Sequence, residues 1–169
     1  TKATLSEFPD RKLFGEDVIW SGSPKEGMLS SHRILSTATH SGDGQYGKAS
    51  SNKLSYRVIA DCHAINNQIN DEWLIRDQVA IARQIGLTPE NFARFEIERE
   101  GGPDNCLRPF SDSIDQPGPY RGKGNENEWG EKYSDILNRL MNSDKSIVQK
   151  EFDRACQLEY PGGFTGHSF

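Results

Sequence analysis

Short apolar runs, separated by turn-forming residues, dominate the first half of the chain. Their residues alternate between apolar and polar or are rich in β-branched and aromatic types, which is typical of strands rather than helices. The pattern predicts one brief strand at Val18-Ile19-Trp20 and three further strands, over residues 30–40, 54–65 and 69–76.

Turn chemistry predicts how these strands are connected. Residues 41–52 are rich in Gly, Ser and Asn and predict a long hairpin connection, whereas Asn66-Asn67-Gln68 predicts a tight turn. The last three predicted strands should therefore form an antiparallel meander.

The period of the apolar positions changes at Asp77. Beyond it, apolar residues recur at helical spacing as far as Gly86, which is well placed to end a helix, and Asp77 stands at the N-cap position. Thr88 followed by Pro89 is a second helix start, and we expect that helix to run to about Arg99.

The second half of the chain has a different composition. Gly and Pro are concentrated in residues 101–130, which predicts a linker or a long surface arm, and residues 129–141 and 143–160 predict two helices. We therefore divide the chain into a sheet-containing domain, a Gly/Pro-rich linker or arm, and a helical segment, over residues 1–100, 101–130 and 131–169. A weak echo between the two chain ends makes the last segment a candidate start of a second copy of the domain. The alternative is a single domain whose helices follow its strands.

Composition and charge exclude several classes of protein. A net charge of −5 without any block of Lys or Arg argues against a nucleic-acid partner. No apolar run approaches the roughly 18 residues of a membrane span, so we expect no membrane partner. Three Cys residues without CxxC spacing favour reduced thiols in the cytoplasm. Because the His residues lack HxH and HExxH spacing, we expect no metal site.

Two predicted strands and the helix after them carry a family pattern. Residues 54–63 form a strand, residues 66–77 hold a turn, an acidic residue, Trp and a final Asp, and the following helix closes with Gln84-Ile85-Gly86. Together with Asp17-Val18-Ile19-Trp20, this pattern resembles the SnoaL-like polyketide cyclase family of the nuclear-transport-factor-2-like superfamily. The resemblance covers roughly residues 16–87.

The resemblance implies a cone-shaped α+β fold, in which a curved antiparallel sheet wrapped by helices surrounds an apolar pocket. It also implies a cofactor-free acid/base enzyme that acts on a hydrophobic, oxygenated, polyketide-like small molecule by enolisation or aldol-type cyclisation. Asp77 matches the family's catalytic Asp, although a helix N-cap is the alternative role for this residue. Helices normally precede the first strand in this superfamily and almost nothing precedes it here, so we expect a homo-oligomer, a dimer, or a second copy of the domain.

Strand geometry gives Asp77 a partner. If the second and third strands turn near the middle of residues 41–52, His40 falls opposite about Leu54, and two strand spacings, roughly 10 Å, separate it from Asp77. A substrate could bridge that gap. Asp77 would then act as base or acid, and His40 would polarise or reprotonate an enol oxygen.

The remaining candidate residues form two groups. Trp20, Tyr56 and Trp73 could line an aromatic pocket for a flat ligand, while His32 and His63 are expected in a polar cluster at the other end of the sheet. Two alternatives to the cyclase stay open. The same base could serve a hydratase, dehydratase or isomerase, or the fold could be a non-catalytic module for small-molecule binding or assembly.

Overall fold

The computed structural model describes residues 2–106, 127–160 and 162–167, which belong to two compact units. The first unit comprises Thr1–Pro119 and Pro161–Gly163, and the second comprises Tyr120–Tyr160 and Phe164–Phe169. Most of the Gly/Pro-rich segment expected at residues 101–130 lies outside the described residues.

A four-stranded antiparallel sheet with the order β1-β2-β3-β4 forms the centre of the first unit. The elements of the first unit are α1 (Lys2–Glu7), β1 (Lys12–Ser23), β2 (Gly27–Thr39), β3 (Lys53–Ile65), β4 (Gln68–Arg76), α2 (Gln78–Gln84) and α3 (Pro89–Arg99). The α+β class and the antiparallel meander are therefore confirmed, whereas the closed cone stays a prediction.

The tight turn between β3 and β4 has the chemistry that the sequence indicates. Asn66 and Asn67 both have positive φ angles, of 53° and 60°. A two-residue connection with two left-handed positions is the hairpin turn whose twist matches that of the strands, and Asn tolerates this conformation better than most residues.

The first strand is much longer than the brief strand that the sequence predicts. β1 has 12 residues, but its register against β2 shifts between Gly15 and Asp17. Such a bulge at Glu16 moves the residues before it to the other parity, so the two-residue alternation is interrupted and only Val18-Ile19-Trp20 stands out as a strand.

Capping side chains fix the two helices that follow the sheet. Asp77 Oδ1 accepts a hydrogen bond from Ala80 N at 2.9 Å, and Thr88 Oγ1 accepts one from Asn91 N at 3.1 Å. Both N-caps are confirmed. Gly86 ends the region of α2 with a φ of +92°, a left-handed angle that glycine adopts without a Cβ clash.

Gln84 joins the end of α2 to the sheet. Its side-chain amide donates to Ser55 O and accepts from Ser55 N, at 2.9 and 2.8 Å. The strand pairing between β3 and β4 extends only as far as Val58 and Arg76, so Gln84 takes over backbone groups of β3 that β4 leaves unpaired.

The core of the first unit lies between one end of the sheet and α2. Ile81 and Ala82 are fully buried in one cluster with Leu54, Tyr56 and Val58 of β3. The cluster continues through three aromatic rings, which lie just after α1, in the 41–52 connection and in α3: Phe8, Tyr46 and Phe92.

The second unit contains two helices and a hairpin. Its elements are α4 (Glu128–Met141), α5 (Ser146–Glu151), β5 (Gln157–Tyr160) and β6 (Phe164–His167), and β5 pairs antiparallel with β6. The helix expected over residues 143–160 is therefore wrong in its second part, as is a purely helical 131–169 segment. The run Gln157-Leu158-Glu159-Tyr160 alternates between polar and apolar residues, which is the two-residue period of a strand. Here the chain follows this period and not the helical spacing on which the expected helix was based. None of the helices in the described parts of the chain is long and apolar enough to cross a membrane.

Candidate functional site

The register of the sheet decides which predicted pocket residues share a face. We call the face that carries Leu54, Tyr56 and Val58 the inner face and the opposite one the outer face. Trp20 pairs with Ser30, and Ser30 with Cys62, which has the inner-face parity of β3.

The pairings separate the predicted pocket into two sets. His32, opposite Ala60, joins Trp20 and Tyr56 on the inner face. Trp73, opposite Asp61, lies on the outer face together with His63, whose Nδ1 is 2.6 Å from Asn70 Oδ1. The five candidate pocket residues therefore do not line one pocket on this sheet.

The inner face has a covered half and an open half. In the covered half, Tyr56 is only 3 % exposed and belongs to the core beneath α2. In the open half, large apolar side chains remain accessible: Trp20 is 64 % exposed, and Val18 and Leu74 are each 49 % exposed. Apolar side chains of this size are exposed together mostly where a protein binds something.

A polar pair lies among these apolar side chains. His32 Nε2 is 2.8 Å from Ser30 Oγ, and Ser30 is the cross-strand neighbour of Trp20. Directly opposite residues of antiparallel strands have Cβ atoms about 5 Å apart, so the indole of Trp20 adjoins the Ser30–His32 pair. When Nε2–H donates to Ser30 Oγ, His32 Nδ1 carries a lone pair that can accept a proton. Nδ1 makes no hydrogen bond to any residue that the structure describes.

Cys62 also belongs to this inner-face neighbourhood, but its environment disfavours a reactive thiolate. Burial raises the pKa of the Cys62 thiol, and the negative charges of Glu72 and Asp61 raise it further. A protonated thiol is a poor nucleophile, so Cys62 contributes packing rather than chemistry.

Asp77, the predicted base, is engaged by backbone groups. Besides capping α2, its carboxylate accepts hydrogen bonds from Gly162 N, at 2.9 Å to each oxygen, and from Gly163 N at 3.1 Å. Together with Ala80 N, these groups make three backbone donors to one carboxylate. Its lone pairs are largely in use, which leaves little room for a substrate proton.

His40, the predicted partner of Asp77, is fully buried. Its Nε2 lies 3.2 Å from Glu7 Oε1, and its Nδ1 accepts from Ser50 N at 3.3 Å and lies 3.1 Å from Ser50 Oγ. Because the imidazole is 0 % exposed, it could reach a ligand only through Glu7 or Ser50.

The structure does not bring Asp77 and His40 to the same level of the sheet. His40 N donates to Asn52 O, and Asp77 N donates to Arg57 O. These acceptors are five residues apart, or roughly 17 Å along an extended strand. His40 lies opposite Asn52 instead of Leu54, so the register differs by two residues from the expected one, and the connection contains a bridge between Gly44 and Gly47. The catalytic roles of Asp77 and His40 stay predictions.

Sequence reasoning missed the residues that these histidines contact. Ser30 could have been found, since it is two residues from His32 and alternation puts both on one face of a strand. Glu7 could not, because 33 residues separate it from His40 and no motif links them. Within the described ranges, no three metal-ligating side chains gather into a site that could hold a metal ion.

Comparisons with known proteins show only a partial likeness in fold. No family model matches the sequence, and no curated protein matches it. One similar solved structure is AclR from Streptomyces galilaeus, for which hydroxylase activity has been suggested, with 18% identity and a TM-score of 0.45 over 52% of this chain and 55% of that chain. Another is TsrD from Streptomyces laurentii, with 18% identity and a TM-score of 0.42 over 48% of this chain and 57% of that chain. The chain thus spans a little over half the length of each, and its function has to be argued from its own site.

Proposed function

We propose that the first unit is a small-molecule module of the SnoaL-like type, which binds a hydrophobic, oxygenated ligand on the open half of its inner face. Trp20, Val18 and Leu74 would contact the apolar part of the ligand. His32, oriented by Ser30, would exchange a proton with a carbon next to a carbonyl group, which is enolisation without a cofactor.

The observation that carries the proposal is the exposure of Trp20 beside the Ser30–His32 pair. A tryptophan exposed to 64 % leaves a large apolar area in water, and burying such area against a ligand is favourable by about 25 cal/mol per Å². The adjacent imidazole supplies a polar group of the kind that orients ligands in otherwise apolar sites.

The choice of His32 over the Asp77–His40 pair rests on access. The Asp77 carboxylate accepts three backbone hydrogen bonds and the His40 ring is fully buried, whereas His32 is only partly buried. The resemblance to SnoaL-like cyclases supports a cone-shaped pocket and a polyketide-like ligand. The second candidate function is binding without chemistry, which the same apolar surface would serve.

Binding is tested by isothermal titration calorimetry with emodin, a flat, oxygenated, polyketide-like molecule. Trp20→Ala should weaken binding by roughly tenfold or more, because it removes both ring stacking and buried apolar area. Together these contribute more than about 1.4 kcal/mol. Trp73→Ala is the matched control, since Trp73 is also exposed but lies on the outer face. Equal effects of the two substitutions would contradict a site on the inner face.

Chemistry is tested separately by the exchange of the acidic C1 protons of 2-tetralone in D2O. The protein should accelerate the exchange, since His32 would remove a proton from carbon and the enolate would take a deuteron from solvent. His32→Gln should abolish the acceleration and leave emodin binding within about threefold of the parent value. Emodin binding without any accelerated exchange would establish the binding-only alternative.

A further inference from the structure

A second, polar cleft lies at the covered end of the first unit, away from Trp20 and His32. Its volume is about 380 Å³, and its walls come from α1, the connection between β2 and β3, the end of β4 and the end of α3. The charged and amide side chains that line it are those of Glu7, Asp43, Gln45, Arg76 and Arg99.

Glu7 is a buried carboxylate in the wall of this cleft. It is 3 % exposed, and three donors approach it: Tyr46 N and His40 Nε2 contact Oε1 at 2.8 and 3.2 Å, and Gln45 N contacts Oε2 at 3.1 Å. A carboxylate offers about four acceptor positions, so Oε2 retains room for one more donor. A buried negative charge also favours a cationic donor in that place.

The main chain approaches Glu7 closely because position 44 is glycine. A Cβ atom at Gly44 would lie 2.5 Å from Glu7 Cδ, which is closer than such atoms come. The carboxylate thus lies against the backbone of the connection, where Gln45 N and Tyr46 N donate to it.

Two guanidinium groups line the same cleft as this acid. Arg76 Nε is buried without a hydrogen-bond partner, and Arg99 uses Nη2 for an ion pair with Glu96 at 2.6 Å. Asp43 is already occupied by Lys48 and by Ala49 N. Guanidinium groups bind carboxylates through paired N–H donors, so the cleft offers both donors for a carboxylate and, at Glu7, an acceptor for a cation.

We propose that this cleft binds a small α-amino carboxylate, with the ligand carboxylate on Arg76 and Arg99 and the ligand ammonium group donating to Glu7. Both charges of the ligand then meet an opposite charge, which a carboxylate alone or an amine alone cannot achieve. This site is distinct from the open half of the inner face and does not depend on the function proposed there.

The experiment titrates the ¹⁵N-labelled 169-residue chain with L-alanine and with its two halves, propionate and ethylamine. L-alanine should bind at least about tenfold more tightly than either half, and it should shift the amide signals of Gln45 and Tyr46, which donate to Glu7. Propionate that binds as tightly as L-alanine, or L-alanine that leaves both amides unshifted, would overturn the proposal.

Two substitutions on α3 give a matched pair. Arg99→Gln should weaken L-alanine binding by roughly tenfold, while Arg94→Gln, which removes the same charge at an exposed position of the same helix, should change it less than about twofold. Equal effects would mean a general charge effect and would overturn the assignment. Glu7→Gln should abolish the preference for L-alanine over propionate. If that variant does not fold, the comparison of Arg99→Gln with Arg94→Gln tests the proposal by itself.

Discussion

The covered and open halves of the inner face share one alternation, but the large side chains that define them lie on different strands and are buried to different extents. Leu54, Tyr56 and Val58 are buried beneath α2, whereas Val18, Trp20 and Leu74 remain accessible on the same face. The difference follows from position in the sheet, since β3 is an internal strand whereas β1 and β4 are edge strands, and from the length of the covering helix. β3 has 13 residues and extends about 43 Å, while α2 has 7 residues and extends only about 10 Å.

Whether α2 covers a residue therefore decides whether its substitution affects the stability of the fold or the binding of a ligand. A residue in the covered half contacts a packed core, and its substitution should be measured as stability. A residue in the open half contacts solvent, and its substitution should be measured mainly as ligand affinity. Substitutions at different places in the first unit test this division.

The largest effect is expected from Ile81→Ala in α2. Ile81 is fully buried in the covered half, so removing its side chain loses apolar burial and leaves a cavity, which should lower the free energy of unfolding by about 3 kcal/mol. Leu74→Ala, in the open half, is the control and should cost less than about 1 kcal/mol. Chemical denaturation measures both. Similar losses would contradict the division into two halves.

The next effect concerns pH at the covered end. Tyr46 is packed against Phe8 and stacked on Phe92, with ring centroids 5.8 and 5.2 Å apart. Burial raises the pKa of Tyr46 to about 12 from its ordinary value of 10.0, although the positive charge of Arg76 acts in the opposite direction. The fold therefore favours the neutral phenol. Its contribution is complete below pH 10 and is lost as the pH rises towards 12, by about 3 kcal/mol.

Tyr46→Phe isolates this contribution. The hydroxyl oxygen of Tyr46 is buried and makes no well-aligned hydrogen bond, so removing it should cost little near pH 7. The variant should lose part of the alkaline decline in unfolding free energy, whereas Tyr133→Phe, at an exposed tyrosine of α4, should retain it. An unchanged decline in Tyr46→Phe would show that the phenol is not protected from ionisation.

Local patterns of the sequence predict much of this fold. The strands β2, β3 and β4 and the helices α2 and α3 begin and end within a few residues of the expected positions, because caps, turn residues and apolar periods are set by near neighbours. The bulge at Glu16 and the short α5 were not predicted, since each depends on pairing or packing with residues distant in sequence.

The site could be predicted only in part, for the same reason. A register error of two residues along β3 moves His40 further from Asp77, and the face of Trp73 depends on the register of the β3–β4 pairing, including its shift between His63 and Ala64. Ser30 and His32 share a face by simple alternation. Glu7 meets His40 only after α1 and the 41–52 connection have folded together, and no spacing in the sequence contains that information.

The smallest effect separates the two roles of Asp77, at the edge of the covered half. Asp77→Ala removes the acceptor for Ala80 N, Gly162 N and Gly163 N and should lower the unfolding free energy by about 1 kcal/mol, the usual cost of a lost N-cap. Asp77→Asn keeps an acceptor oxygen and should cost only a few tenths of a kcal/mol. If His32 is the proton-exchanging group, Asp77→Asn should also retain the accelerated exchange of 2-tetralone. A stable Asp77→Asn protein without exchange would instead make Asp77 the base, and the open half would then be a binding surface only.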